Sequence, residues 1–301
     1  MTLPRRWLAW SVAGALAAIV LAYATAVGYM MANEVALVFA PNARDHAVAP
    51  DIARRIERVP RTVGHSPGLL WVLRGDADAP WIVFLHGNAA NVSTPENVTR
   101  YLQLQSLGLQ VVAPEYPGFG PLTGPASEAG ATAAARDAWD WLREAGVPSS
   151  RIAVYGWSLG SGVATHLAST VDERGLVLEG AFTGVDDRAR EIYPWLPIRY
   201  IIRNPFASRD RIAHVGSPLL LLHARDDRII PFPHAERLLA AAHGPKRLVA
   251  LTGGHIRPNV IDQTTYLEGL GGFFTEIFGT AVPAPAVSKP ARSAPRGPAR
   301  R

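Results

Sequence analysis

The stretch Gly156-Trp157-Ser158-Leu159-Gly160 decides the fold of this 301-residue chain. Residues 151–155 before it are rich in β-branched and aromatic side chains and predict a short buried strand, while residues 159–169 predict a helix with an apolar stripe. A G-x-S-x-G sequence between strand and helix is typical of a nucleophile elbow, a tight turn that presents the serine hydroxyl at the end of a sheet. Gly156 and Gly160 are needed because a side chain at either position would collide with the neighbouring strand or helix.

Ser158 needs a base, and that base needs an orienting carboxylate, because a serine hydroxyl is a weak nucleophile at neutral pH. Candidates for both follow it in the sequence. The apolar run 219–223 predicts a buried strand that leads into Asp226-Asp227, and residues 247–251 predict another that leads into His255. Because sites in such folds form at the carboxyl ends of parallel strands, we expect Ser158, one of the two aspartates and His255 to meet at one sheet edge.

Three further motifs lie between residues 81 and 278. They are His86-Gly87-Asn88-Ala89-Ala90-Asn91, Glu115-Tyr116-Pro117-Gly118-Phe119-Gly120 and Leu178-Glu179-Gly180-Ala181-Phe182-Thr183. Together with the elbow, they make the chain resemble a serine hydrolase of the α/β-hydrolase superfamily, in a branch of membrane-tethered enzymes with a small lid. The resemblance implies an α/β-hydrolase fold, which is a mostly parallel twisted sheet with helices on both faces and a short lid insertion.

The resemblance also implies a role for each site residue. Ser158 is the nucleophile and His255 the base. Asp227 is the orienting acid, because the family pattern places an aspartate four residues before a proline and Pro231 stands four residues after Asp227. The backbone amides of Asn88 and Leu159 are expected to form the oxyanion hole. Residues expected to shape these loops are His86, Gly87, Gly156 and Gly160.

Residues 183–215 interrupt the alternation of strands and helices, at the place where this superfamily inserts its lid. The segment is rich in aromatic residues and proline. A lid of that composition over a serine site would line an acyl pocket. Packing against the domain's own core is the alternative interpretation of the same side chains. The candidate pocket residues are Tyr193, Trp195, Leu196 and Ile198.

The beginning of the chain predicts a membrane anchor. Residues 7–31 carry no charge and follow Arg5 and Arg6. The stretch exceeds the ~20 residues that a transmembrane helix needs, and the cations before it predict a cytoplasmic N-terminus with the hydrolase on the non-cytoplasmic side. A cleaved signal peptide is the alternative, because Ala24-Thr25-Ala26 suits a signal peptidase. In that case the protein would be secreted or periplasmic.

Composition divides the chain into five parts. They are a short basic N-terminus at 1–6, the anchor at 7–31, a linker and entry to the domain at 32–66, the hydrolase domain at 67–280 and a disordered basic tail of Pro, Ala and Arg at 281–301. The net charge is +5, but the cations of the two ends outnumber it, so the domain between them is slightly acidic. This distribution argues against nucleic acid as a partner.

The expected function is hydrolysis of carboxylic esters or thioesters, which would be small-molecule or lipid-like, through an acyl-serine intermediate. Such chemistry needs no cofactor. A metal is not expected either, because the chain has no cysteine and no H-E-x-x-H motif. Three alternatives stay open: acyl transfer to an alcohol, cleavage of amides or peptides by the same triad, and a catalytically silent scaffold that presents its lid or tail to a partner.

Overall fold

A single sheet organises the computed structural model, which describes residues 5–279. Its strands are β1 Ile56–Val63, β2 Ser66–Leu73, β3 Trp81–Leu85, β4 Gln110–Pro114, β5 Ile152–Trp157, β6 Leu176–Glu179, β7 Leu219–Ala224 and β8 Lys246–Leu251. They lie in the order β1-β2-β4-β3-β5-β6-β7-β8. β2 is antiparallel to both of its neighbours, and every other adjacent pair is parallel. The mostly parallel sheet predicted from the sequence is confirmed.

Helices pack on both faces of the sheet. The helices are α1 Arg5–Ala32, α2 Glu34–Val38, α3 Pro50–Ala53, α4 Pro95–Ser106, α5 Glu128–Glu144, α6 Leu159–Ala168, α7 Val185–Ile192, α8 Ile198–Ile201, α9 Ser208–Arg211, α10 Pro233–Ala241, α11 Pro258–Ile261 and α12 Gln263–Phe278. Val83 of β3 packs with α5 and α6 on one face, while Ile82 and Phe84 pack with α4 and α12 on the other. Successive strand residues point to opposite faces, so a strand covered on both sides is apolar throughout.

The N-terminal helix is joined to the segment predicted to be the lid. Within α1, Ala9–Ala32 is long and apolar enough to cross a membrane by length and composition. Its last turns, including Met30, pack against Ile198 and Ile201. Directly after α1, the buried Glu34 carboxylate accepts hydrogen bonds from the backbone N–H groups of Arg203 and Asn204 at 3.1 and 3.0 Å, and from the Asn204 amide side chain. One wall of the lid is therefore held by the end of the apolar helix.

The structure differs from the sequence prediction in three places. β1 lies inside the predicted linker, because this edge strand alternates charged and half-buried residues and lacks the apolar run of a central strand. No helix is predicted from the sequence at α4 or at α11. Residues 1–4 of the predicted basic N-terminus and the predicted tail at 281–301 lie outside the described residues.

Helix α6 approaches the sheet so closely that only glycine fits at two positions. A Cβ atom added to Gly160 would lie 2.0 Å from the carbonyl oxygen of Leu85 in β3. A Cβ atom added to Gly156 would lie 2.3 Å from the carbonyl oxygen of Gly160. These neighbours are backbone atoms of a strand and a helix, which cannot rotate away as a side chain can. The two glycines therefore fix the distance between β5, β3 and the start of α6.

We expect the substitution Gly160→Ala to prevent stable folding or to lower the free energy of unfolding by more than about 4 kcal/mol, because the added methyl overlaps the Leu85 carbonyl. The control is Gly216→Ala, where an added Cβ meets no atom within 4 Å. That variant should change the free energy of unfolding by less than about 1 kcal/mol. Urea and thermal denaturation of the detergent-solubilised chain measure both. Equal unfolding curves for Gly160→Ala and wild type would contradict the steric argument.

Candidate active site

Ser158 occupies a strained turn between β5 and α6. Its backbone has φ 53° and ψ −120°, in a region that residues with a side chain rarely adopt. The turn is held in place by the Ser158 N–H, which donates to the Glu179 carbonyl at 2.9 Å. Strain of this kind persists only where the surroundings impose it, and it is concentrated at functional sites. The result is a serine hydroxyl presented at the carboxyl edge of the sheet.

The structure brings His255 and Asp227 to that hydroxyl in a continuous chain of hydrogen bonds. Ser158 Oγ lies 2.7 Å from His255 Nε2, and His255 Nδ1 lies 2.7 Å from Asp227 Oδ2. Asp227 follows β7 and His255 follows β8, so both side chains reach the site from neighbouring strand ends. Because the carboxylate of Asp227 can only accept a hydrogen bond, the ring proton of neutral His255 lies on Nδ1. Nε2 then carries no proton and can accept the one from the serine hydroxyl.

The two adjacent aspartates make different contacts. Asp227 Oδ1 accepts hydrogen bonds from the backbone N–H groups of Ile229 and Ile230 at 2.9 and 2.8 Å, and its other oxygen faces His255. Burial raises the pKa of Asp227. The hydrogen bond to His255 and the charge interactions with His255 and His223 lower it by more, so the pKa lies below its ordinary value. The carboxylate is therefore charged at neutral pH and suited to orient an imidazole.

Asp226 points to the loop that carries His255. Its Oδ1 accepts hydrogen bonds from the backbone N–H groups of Gly253 and Gly254, both at 3.1 Å. Both glycines have positive φ, at 111° and 65°, and so allow the sharp turn that this contact requires. Asp226 thus binds the backbone of the loop that carries His255. Of the two aspartates, Asp227 is the one that contacts the imidazole.

Asn88 and Leu159, the residues expected to supply oxyanion donors, both border the cavity above Ser158. Leu159 is the first residue of α6, so its N–H has no acceptor within the helix. The Asn88 side chain is occupied elsewhere, because its Oδ1 accepts from Ala40 N–H and its Nδ2 donates to the Val38 carbonyl, both at 2.8 Å. Any contribution of Asn88 to an oxyanion hole must therefore come from its backbone.

His86 and Gly87 shape the loop before Asn88. The buried His86 ring lies 2.9 Å from Glu115 Oε1 through Nε2 and stacks on Tyr116 at 4.0 Å between ring centroids. A Cβ atom added to Gly87 would lie 3.2 Å from the Cβ atom of Ser158, so the glycine permits a close approach of loop and elbow. The polar atoms of the His86 ring face Gly87 and Glu115, and the ring is fully buried, which fits a residue that supports the loop.

A buried ion pair lies behind the elbow and was missed in the sequence analysis as part of the site. Both Arg100 nitrogens that face Glu179 donate to its carboxylate, Nε at 2.9 Å and a terminal nitrogen at 2.5 Å. The guanidinium also stacks 4.0 Å from the ring centroid of Trp157 and donates to the Ile256 carbonyl at 3.2 Å. Burial lowers the pKa of Arg100, but the charge of Glu179 and its hydrogen bonds raise it by more, so Arg100 stays a cation. The pair connects the residue before Ser158 with the residue after His255.

A cavity of about 360 Å³ opens beside Ser158 and is mainly apolar. Of the four predicted pocket residues, Tyr193 and Ile198 border it. Trp195 does not, because it is 57% exposed on the outer side of the lid, and Leu196 is buried in a small apolar cluster with Ile198 and Ile201. The lid therefore contributes a different subset of its apolar side chains from the one predicted.

Part of the cavity wall comes from outside the lid. Met30, Glu34 and Leu37 border the cavity from the N-terminal segment, and Phe182 and Ile230 border it from the loops after β6 and β7. The contribution of Met30, Glu34 and Leu37 is not predicted from the sequence, since these residues lie far from Ser158 along the chain. The sequence feature that precedes this wall is the apolar stretch of α1, which is followed closely by Glu34, a residue that becomes buried.

Breaking the Arg100–Glu179 pair should be costly. We expect Glu179→Gln to lower the free energy of unfolding by about 3–5 kcal/mol, because it leaves the buried Arg100 cation unpaired. The double variant Arg100→Met, Glu179→Gln should cost less than the sum of the two single changes. Arg136→Met is the control, since Arg136 pairs with Asp140 at the surface, and it should change the free energy by less than about 1 kcal/mol. Urea denaturation measures the cycle, and additive single costs would exclude the coupling.

Comparison with known proteins identifies the same fold. A family model described as "alpha/beta hydrolase fold" matches residues 80–213. The Pyrococcus furiosus esterase Pf2001 superposes with a TM-score of 0.67 at 19% sequence identity, covering 79% of this chain and 99% of the esterase. Est1E from Butyrivibrio proteoclasticus superposes with a TM-score of 0.61 at 13% identity, covering 74% of this chain and 99% of Est1E. At these identities the two structures support the fold alone.

Sequence relatives extend the comparison. The uncharacterized protein MT2364 of Mycobacterium tuberculosis is 38% identical over 199 residues, which are 65% of this chain and 70% of the relative. The lysophosphatidylserine lipase ABHD12 of Danio rerio is 35% identical over 187 residues, and that of Rattus norvegicus is 36% identical over 186. Each match covers 56% of this chain but only 49% and 46% of the two lipases, about half of their length. By family model, sequence and architecture, the chain belongs to the α/β-hydrolase superfamily.

Proposed function

We propose that this protein is a membrane-anchored serine hydrolase that cleaves carboxylic esters or thioesters through an acyl-serine intermediate. The observation that carries the proposal is the pair of 2.7 Å contacts that join Ser158 to His255 and His255 to Asp227 at the floor of an apolar cavity. A serine in this setting has a base within reach of its proton, and the base has a charged partner that fixes its tautomer.

In the first half of the reaction, Ser158 Oγ attacks the acyl carbonyl carbon while His255 Nε2 takes the hydroxyl proton. Asp227 stabilises the imidazolium that forms. The negative charge that develops on the carbonyl oxygen is stabilised by the backbone N–H groups of Leu159 and Asn88, each worth about 3–4 kcal/mol in comparable sites. The imidazolium then gives its proton to the departing alcohol or thiol, and the acyl group stays on Ser158.

In the second half, water replaces the leaving group. His255 Nε2 takes a proton from the water as it attacks the acyl carbon, and the same two backbone amides stabilise the second tetrahedral intermediate. Collapse of that intermediate breaks the bond to Ser158 Oγ, which recovers its proton from His255. The carboxylic acid leaves, and water is the one co-reactant that the two steps need besides the ester.

The substrate class that fits best is an ester with one long acyl chain. The cavity beside Ser158 is mainly apolar, and Tyr193 and Ile198 close it from the lid. Such walls favour methylene groups, which gain from leaving water, over polar acyl groups. The relatives named lysophosphatidylserine lipases carry a single-chain lipid ester in their name, and they support the same class for this chain.

We further propose that α1 is retained as a single-pass anchor with the hydrolase on the non-cytoplasmic side. Retention is supported by Tyr23, which precedes the alternative cleavage site at Ala26 and whose hydroxyl donates to the Trp195 carbonyl of the lid at 3.2 Å. Orientation is supported by Arg5 and Arg6 at the start of the helix. The five-part organisation stays a prediction, with β1 moved into the domain. Protease protection of tagged ends in sealed membrane vesicles tests the orientation.

A reporter-tagged fluorophosphonate tests the nucleophile. We expect the full-length wild type to be labelled in detergent or membranes, because a serine activated by a neighbouring imidazole attacks phosphorus. Ser158→Ala should abolish labelling, and Ser161→Ala, which removes a buried hydroxyl within the first turn of α6, should preserve it. A folded wild type that remains unlabelled and turns over no ester would favour the scaffold alternative.

Paired aspartate variants test the orienting acid. We expect Asp227→Asn to lower kcat by roughly 10³-fold to 10⁴-fold, because the amide can donate to Nδ1 and stabilise the wrong imidazole tautomer. Asp226→Asn keeps an oxygen acceptor for Gly253 and Gly254 and should lower kcat by less than about tenfold. Steady-state hydrolysis of a nitrophenyl ester measures both variants. Equal losses in the two would reject a distinct role for Asp227.

A further inference from the structure

A second apolar space lies between α1 and the lid. It is an open groove of about 830 Å³, with walls formed by one face of α1 and by Tyr193 and Trp195. Ala18, Ala22 and Ala26 line it in successive turns of the helix. Residues four apart fall on one face of a helix, so these alanines form a row of small side chains along the helix axis. We call this space the anchor groove.

The anchor groove adjoins the cavity beside Ser158. Met30, Leu37 and Tyr193 border both spaces, so the two are adjacent and share these side chains as a common wall. The groove extends from this junction along α1 toward Ala18, which lies within the segment apolar enough to cross a membrane. The apolar linings of the two spaces together therefore extend from the site at Ser158 to the surface of the anchor helix.

Two contacts hold the walls of the groove at a set distance. At one end, the Tyr23 hydroxyl donates to the Trp195 carbonyl at 3.2 Å, and the two rings lie 6.3 Å apart. At the other end, Glu34 is buried and accepts hydrogen bonds from Asn204. The alanine row lies on α1, as Tyr23 does, and its small side chains keep the space open.

The aromatic side chains near the groove suit the boundary of a bilayer. Trp195 is 57% exposed and Tyr200 is 64% exposed, although both are large. Tryptophan and tyrosine are enriched at membrane–water interfaces, where the ring sits at headgroup level. With α1 in a membrane, the lid would rest at the interface and the anchor groove would open into the hydrocarbon region.

We infer that the anchor groove holds the acyl chain of a membrane-resident ester, so that α1 is a wall of the substrate site as well as an anchor. The inference rests on the proposed function and commits to a lipid that enters from the bilayer. Its chain lies along the alanine row, and its ester carbonyl reaches Ser158 through the junction at Met30 and Leu37.

The variant Ala22→Trp tests the inference by filling the groove. The full-length chain is placed in phosphatidylcholine nanodiscs, and kcat/KM is measured for nitrophenyl acetate and nitrophenyl dodecanoate. Each buried methylene contributes roughly a fourfold factor to binding, so the loss of a few should lower the dodecanoate-to-acetate ratio by at least about tenfold. The matched control is Ala24→Trp, which makes the same change on the same helix at a residue bordering neither space. That control should keep the wild-type ratio.

A second variant measures how the chain runs. Ala18 lies one turn further than Ala22 from the junction at Leu37. The shortest acyl chain whose hydrolysis is slowed should therefore be longer for Ala18→Trp than for Ala22→Trp. Rates measured with nitrophenyl esters of increasing acyl length give this threshold length for each variant, and the two should differ. The same threshold for both variants, or the reverse order, would overturn the placement of the chain along α1.

The outcomes separate the inference from the proposed function. If the wild type hydrolyses acetate through Ser158 while Ala22→Trp keeps the wild-type ratio, the anchor groove does not hold the chain and the hydrolase proposal stands. If the wild type hydrolyses neither ester, and fluorophosphonate does not label Ser158, the proposed function itself fails. Equal loss of ratio in Ala22→Trp and Ala24→Trp would assign the effect to the helix as a whole and overturn the inference.

Discussion

The contact between Gly160 and the carbonyl of Leu85 is the constraint on which the rest of the site depends. Because no side chain fits between them, α6 begins directly against the sheet, and the turn before it is tightly confined. That confinement forces Ser158 to positive φ and points its hydroxyl away from the core. The neighbouring strand ends then need only short loops to bring a carboxylate and an imidazole to the same point.

The sequence predicted the parts of the molecule that local chemistry determines. Glycine spacing around Ser158, apolar runs before Asp227 and His255, and the uncharged stretch before Glu34 are visible in a few neighbouring residues each. The fold prediction was confirmed because those runs form parallel strands of one sheet, the buried β7 and the half-buried edge strand β8. β1 was not recognised, since an edge strand exposes half of its residues and lacks an apolar run.

What the sequence did not predict depends on contacts between distant segments. In the sequence, nothing distinguishes Arg100 from a charged residue on the surface of a helix. Its contacts with Glu179 and Trp157 arise only in the folded structure. Trp195 has the composition of a pocket residue, yet the lid turns it outward toward Tyr23. Burial in each case is decided by which helix covers the residue, and a single sequence carries no record of that pairing.

Joining α1 to the lid has a consequence for how this protein is prepared. A soluble fragment that starts after Met31 would keep Ser158, Asp227 and His255, but the alanine row and Met30 would be gone. Its remaining pocket would be open on one side to water, and its preference among esters would describe that truncated pocket. If the anchor groove holds the acyl chain as proposed, substrate profiling on such a fragment would describe the ester chemistry at Ser158 but not the chain-length selectivity of the whole protein.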